Sequence, residues 1–254
     1  MQKRVLRKIY RVIPGFLSRR IVKQGKFIFM PKIGGYIIFG YHSFSAGYNY
    51  GVNIYDFEQQ IIYLKKFFRI ISLSEMIENI LNKCVFDRPV VSITFDDGYK
   101  DNKEKALPLL LRYKIPATFF ISPGIINCNY RSFLSWNDIK EMMNNDLVEF
   151  GSHGYLHQEL TPLKEEDIIK EVCRSKQELE NFLGKSINFF SYPYGIFNSE
   201  IKKIVQMCGY KAALSAGINQ KHDIFSLNRL MITSYNSSLD KFAYVVAASI
   251  TEIK

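Results

Sequence analysis

The chain has 254 residues, of which 47% are hydrophobic and 23% charged, enough for a full core in one domain. Its net charge of +10 is carried by residues 1–32, which hold ten Lys or Arg and no acid, while the rest holds 24 basic and 24 acidic residues. A body without basic excess argues against nucleic acid as a partner, and no apolar stretch is long enough to span a bilayer.

Residues 1–32 read as a basic amphipathic arm ahead of a domain at 33–254. Val5, Leu6, Ile9, Ile13, Phe16 and Leu17 recur at roughly helical spacing between Arg and Lys residues. Such a segment suits either an anionic membrane surface or packing on the domain. Arg7, Lys8 and Arg11 break any signal-peptide core. The expectation is a cytoplasmic protein with peripheral contact at the inner membrane face through residues 1–30. Cys84, Cys128, Cys173 and Cys208 match no zinc knuckle and no redox pair. Isolated buried thiols in a reducing compartment are expected.

Beyond the arm, apolar β-branched runs alternate with amphipathic stretches. A strand is predicted over 36–41 (YIIFGY) and a helix over 57–67. A short strand at 71 precedes a helix with Ser74 as its expected N-cap. VVSITF at 90–95 is a strand, and 102–114 a helix that Pro108 bends or opens. Strands follow at 117–122, 148–152, 187–193, 211–216 and 227–232. Between and after them lie helices at 135–145, 163–184, 199–210 and 238–249, with Gly184 and Gly209 as C-terminal stops. Repeated strand–helix order predicts an α/β fold, a barrel or doubly wound sheet of mostly parallel strands. Sites in such folds lie at the C-terminal strand ends.

Three segments end up on that rim. Asp96 and Asp97 follow VVSITF, His153 and His157 both follow VEFGS, and Tyr194 follows INFFSYP. One carboxylate and two imidazoles hold a divalent metal while leaving positions open, and a spare carboxylate can serve as base. Neighbours in a strand face opposite ways. For Asp96 and Asp97 to share a pocket the strand must end or bulge there, with Gly98 supplying backbone freedom. The same runs also suit a solvated turn and a loop with surface histidines.

Taken together, TFDDG (94–98), SHGYLH (152–157), Ser135-Trp136 before an amphipathic helix, and SYPYG (191–195) resemble the motifs of the polysaccharide deacetylase family, also called the NodB-homology domain or carbohydrate esterase family four. The resemblance runs over about residues 36–235 and includes the phrases ITFDDGYKDN, IPATFFIS and EVCRSKQELENFLG. It implies a single-domain, deformed (β/α) barrel and hydrolysis of N-acetyl groups on an amino-sugar glycan or glycolipid. It implies Asp97, His153 and His157 as ligands of a divalent metal, zinc first, with iron, cobalt or nickel on the same donors. Asp96 is implied as general base, and the Tyr194 N–H as a donor to the oxyanion. Trp136 and Tyr192 stack on the sugar in this reading, or fill the core.

Two departures accompany the resemblance. Ser191 stands where the family's third motif begins with Arg, and Arg229 is the candidate to supply a cation from another strand. A late Leu-x-His motif is not evident. His222 lies in a polar segment, whereas His42 follows YIIFGY's strand as a Tyr-His pair. That pair resembles the branch that deacetylates exported poly-N-acetylglucosamine, and makes His42 the expected general acid. Three other readings remain: a deformylase of a lipid-linked amino sugar, a non-haem iron oxygenase, and a catalytically silent glycan-binding module.

Overall fold

The computed structural model describes residues 35–45, 50–216, 223–249 and 251–252. The basic arm and His222 lie outside them. The strands, numbered in chain order, are β1 (Gly35–Tyr41), β2 (Arg69–Ile70), β3 (Val90–Phe95), β4 (Ala117–Ile121), β5 (Val148–Ser152), β6 (Phe189–Ser191), β7 (Ala212–Ala216), β8 (Leu227–Met231) and β9 (Thr251–Glu252). β3 to β8 follow one another in parallel, and β1 pairs in parallel with both β8 and β3, which closes a seven-stranded barrel. β2 pairs with the start of β3, and β9 lies antiparallel to β1. The predicted α/β barrel is therefore the fold.

Strand parity explains how the barrel fills. In β1, Ile37, Phe39 and Tyr41 face outward to the helices; Phe39 stacks on Phe242 with ring centroids 5.4 Å apart. Tyr36 and Ile38 face inward with Val90, Phe120, Phe189, Leu214 and Leu227. Both faces are buried, so these strands read as near-continuous apolar runs. The inner set also includes Leu73, Met76 and Ile77 of helix α2 (Leu73–Leu81) together with Phe86, which pack at the strand-start end. The other end is left for polar side chains.

The helices wrap the outside: α1 (Ile54–Phe67), α3 (Leu107–Tyr113), α4 (Pro123–Asn127), α5 (Trp136–Met142), α6 (Glu165–Ile169), α7 (Ser175–Leu183), α8 (Ser199–Met207) and α9 (Leu239–Ala248). Their ends follow local chemistry. Ser135 and Asp138 form a capping box on α5, and Gly184 ends α7 at φ 63°. Ser72, not Ser74, caps α2 by accepting from the Glu75 N–H at 3.0 Å. The capping oxygen must lie three residues before that N–H, and Ser74 already lies inside the first turn. The predicted helices at 102–114 and 163–184 are each interrupted by a π-helical turn, Asn102–Ala106 before α3 and Lys170–Arg174 between α6 and α7.

The cysteines differ from expectation. Cys173 in the second π turn and Cys208 at the end of α8 form a disulfide across adjacent helices, and Cys84 and Cys128 are free and exposed. Packing of two helices brings together thiols 35 residues apart, which spacing does not reveal. The pairing removes the basis for placing the domain in a reducing compartment. Among the described residues no helix is long and apolar enough to cross a membrane.

Candidate active site

Inward parity carries β3 into the site. Ser92, Thr94 and Asp96 alternate on the buried inner face, so Asp96 points into the mouth of the barrel one residue after the strand ends. Asp97 would then face away. Instead its backbone turns left-handed at φ 69°, followed by Gly98 at φ 69°, and its carboxylate swings back beside Asp96. His157 at φ 57° and Tyr194 at φ 59° are left-handed as well. Non-glycine residues rarely adopt this region, and such conformations gather where a site requires them.

The second segment leaves β5 with His153 and loops to His157 without forming a helix. Gly154 at φ 77° makes the turn. The His153 N–H donates to the Ile121 carbonyl at 2.9 Å, and Ser122 Oγ donates to the His153 carbonyl at 2.9 Å. His153 Nδ1 lies 2.8 Å from the Ser191 carbonyl. A carbonyl only accepts, so Nδ1 carries the proton and Nε2 presents its lone pair to the site.

Three such donors converge. Asp97 Oδ1 lies 3.4 Å from His153 Nε2 and 3.2 Å from His157 Nε2, and the two imidazole nitrogens are 3.2 Å apart. Asp97 Oδ1 is buried without a hydrogen bond. Burial alone would raise the Asp97 pKa, but the two imidazoles hold it well below the usual carboxylate range. Lone pairs aimed at one point repel unless a cation lies among them. One carboxylate oxygen and two imidazole nitrogens within 4.8 Å of one another fit a divalent metal.

Asp96 lies beside this cluster and is fixed differently. Arg229 on β8 is buried and donates Nη1 to Asp96 Oδ1 at 2.7 Å and Nη2 to Oδ2 at 2.6 Å. The same guanidinium donates to Ser191 Oγ at 2.8 Å and Thr94 Oγ1 at 3.1 Å. Burial would push Asp96 up, yet Arg229 and His153 hold it below its ordinary value. Asp96 is therefore an ionised carboxylate held by a two-pronged partner. Ser191 does not itself supply a cation; its small hydroxyl leaves room for the arginine arriving from β8.

These groups line a cleft of about 410 Å³ with His42, Tyr50, Tyr192, Tyr194 and Gly195. His42 follows β1, and its Nδ1 is buried without a hydrogen-bond partner. Burial lowers its pKa, against the pull of the Asp96 and Asp97 carboxylates. Tyr50 lies against it, ring centroids 5.0 Å apart. Tyr194 is 62% exposed, with its ring 4.8 Å from that of His157. Tyr192 is buried, stacks on Phe197 and donates its hydroxyl to the Phe225 carbonyl at 2.9 Å. Gly195 lets this loop approach β7, because a Cβ there would lie 2.6 Å from the Ala216 nitrogen.

Trp136 is not among the lining residues. Its ring packs on Phe182 at 4.4 Å, and Nε1 donates to Asn127 Oδ1 at 2.8 Å. Because α5 starts at Trp136 outside the barrel, the side chain serves helix packing, and the stacking role expected for it is withdrawn. Tyr99 and Phe133, stacked at 5.1 Å, occupy the cleft wall in its place. Sequence reading missed both, although Tyr99 directly follows the Asp-Asp-Gly turn.

A family model described as polysaccharide deacetylase matches residues 84–213. The chain is 33% identical over 179 residues to a poly-beta-1,6-N-acetyl-D-glucosamine N-deacetylase of Staphylococcus aureus, covering 66% of this chain and 61% of that protein's length. In fold it is similar to IcaB from Ammonifex degensii, with a TM-score of 0.75, 25% identity, and coverage of 85% of this chain and 98% of that one. It is similar also to the Streptococcus pyogenes deacetylase PplD in complex with acetate, with a TM-score of 0.75, 23% identity, and coverage of 86% and 100%. The matched span runs from before β3 to within β7 and includes both aspartates, both histidines and the Tyr194 loop, so the chain belongs to the polysaccharide deacetylase family.

Proposed function

We propose that the chain is a metal-dependent N-deacetylase of an amino-sugar glycan, with a poly-N-acetylglucosamine-like polymer as its substrate class. The observation that carries this reading is the convergence of Asp97, His153 and His157 on one point beside an ionised Asp96. The similarity to a named poly-N-acetylglucosamine deacetylase supports the substrate class.

Asp97, His153 and His157 would hold the ion, with zinc preferred and iron, cobalt or nickel suited to the same donors. When bound, the metal supplies Lewis acidity to the acyl carbonyl and to water. Asp96 takes a proton from the water that attacks the carbonyl carbon. Arg229 keeps both Asp96 oxygens oriented and the group ionised until then. Tyr194, held left-handed by its loop, offers its N–H to the developing oxyanion. The C–N bond then breaks, and His42 hands a proton to the leaving amine. His42 takes that proton from Asp96, which removed it from the attacking water, so the proton count closes, and burial, which holds the His42 pKa down, favours its release to the amine. Acetate and a free amine are the products.

Residues 1–30, with ten basic side chains by residue 32, support peripheral contact with an anionic membrane. Co-sedimentation with anionic and with zwitterionic vesicles tests this; equal loss from both would remove it. For the activity, zinc- or cobalt-loaded protein is offered N-acetylglucosamine oligomers, and acid release is followed. Acetate is the expected product. Formate from a formylated sugar instead would make the protein a deformylase, and no release with any substrate would leave a glycan-binding module. His153→Ala is expected to lose metal and turnover together, and Asp96→Asn turnover alone.

A further inference from the structure

His153 and His157 are not equally supported. His153 is fixed by its own hydrogen bonds to Ile121, Ser122 and Ser191. His157 lies four residues along an irregular loop, and its Nδ1 has no hydrogen-bond partner among the described residues. Something else must hold the backbone that carries it.

That backbone meets one carboxylate. Glu171 is 5% exposed, and its Oε2 accepts from the N–H groups of Tyr155 and Leu156, both at 2.9 Å. Its Oε1 accepts a second time from Leu156 at 3.2 Å. No cation pairs with Glu171 among the described residues. Its charge is spent on two consecutive backbone donors midway between the histidines, the geometry of a strong charge-assisted anchor. A Cβ on Gly154 would come within 3.2 Å of Oε2, so the loop is drawn tightly over this group. Glu171 stands in the π turn Lys170–Arg174, where the extra residue per turn re-aims side chains, and the Cys173–Cys208 disulfide ties that turn to the end of α8. Ser175 Oγ adds a bond to the Gly154 carbonyl at 3.0 Å.

We infer that Glu171 is a positioning residue for metal binding: it sets the Tyr155–Leu156 backbone so that His157 Nε2 meets His153 and Asp97. It touches neither metal nor substrate. The inference rests on the functional reading above and adds the group that pre-organises the third ligand.

Zinc affinity, measured by competition with a chromophoric chelator, and the visible absorption of the cobalt form test it without any substrate. Glu171→Gln keeps the shape but puts an amide against two donors. It is expected to fold, shown by an unchanged far-UV spectrum, and to bind zinc about tenfold more weakly, the scale on which groups outside the ligand set act. Its cobalt bands should shift, because one ligand is displaced. Glu171→Asp, which restores a carboxylate on a shorter arm, should recover part of the affinity. A folded Glu171→Gln protein with wild-type zinc affinity and cobalt spectrum overturns the inference. Wild-type protein that takes up neither metal overturns the functional reading, and this inference with it.

Discussion

Arg229 and Asp96, 133 residues apart in the chain, share two hydrogen bonds of 2.7 and 2.6 Å in the floor of the cleft. The guanidinium reaches β3 from β8, and β1 lies between those strands in the barrel. Gly40 on β1 leaves room for the Met231 thioether, which a Cβ there would meet at 2.4 Å. The pair thus depends on barrel closure, which sets β8 and β3 on either side of β1.

Removing one partner leaves the other charged and buried. Arg229→Met is therefore expected to destabilise the fold by about 3–5 kcal/mol in denaturant titrations. Arg229→Lys retains charge without the fork, and should recover stability more fully than turnover. Equal recovery of both would show that the charge alone matters and orientation does not.

His42 is expected to matter in proportion to how poor the leaving group is. With an N-acetyl sugar, His42→Ala should lower kcat by about 10²-fold, the usual scale for a lost proton donor. With an activated aryl acetate, whose leaving oxygen needs no proton, the same variant should approach wild-type rates. An equal loss on both substrates would assign His42 a structural role.

Gly195 holds the Tyr194 loop against β7. Gly195→Ala places a methyl group 2.6 Å from the Ala216 nitrogen at a backbone φ of 70°. Strain of about 1–3 kcal/mol is expected, together with a fall in kcat as the Tyr194 N–H moves. Thermal melts and steady-state kinetics read the two effects separately. Unchanged kcat in a destabilised variant would remove Tyr194 from the oxyanion role.

Away from the site, Asp138 gives a pH signature of the fold. Burial opposes its charge, but Lys103 at 2.6 Å and the Ser135 hydroxyl and N–H bring its pKa down to about 2. A folded pKa below the unfolded one adds stability that is complete above the unfolded value and lost as pH falls through the folded one. Asp138→Asn should therefore flatten the decline of Tm between about pH 4 and pH 2. Ser135→Ala should cost about 1 kcal/mol through the lost cap.

Much of this protein is legible from particular residues. VVSITF reads as a strand, and the order of strands and helices already puts Asp96 and Asp97 on the rim at its C-terminal end. Side chains whose importance comes from partners far along the chain are not legible. Glu171 looks like any charged helix residue until Tyr155 and Leu156 fold onto it. Asp101 is similar: it accepts from Ser43 Oγ, the Phe44 N–H and Ser45 Oγ at 2.7–2.9 Å, fastening the segment after His42. Trp136 misleads in the opposite direction, because a lone tryptophan after a serine gives no indication of which face of the barrel it serves.

The sequence by itself determined the parallel strand–helix order, the placing of the candidate site at the C-terminal strand ends and the residue types able to bind a metal. These follow from local periodicity and donor chemistry, which every window of the chain carries. The tertiary structure alone decided that Asp97 turns back at a left-handed φ, that Arg229 grips both Asp96 oxygens while also bonding Ser191 and Thr94, and that Cys173 meets Cys208. Each is a contact fixed by closing the ring and packing helices around it, and a contact between distant segments leaves no mark on the composition or spacing of either.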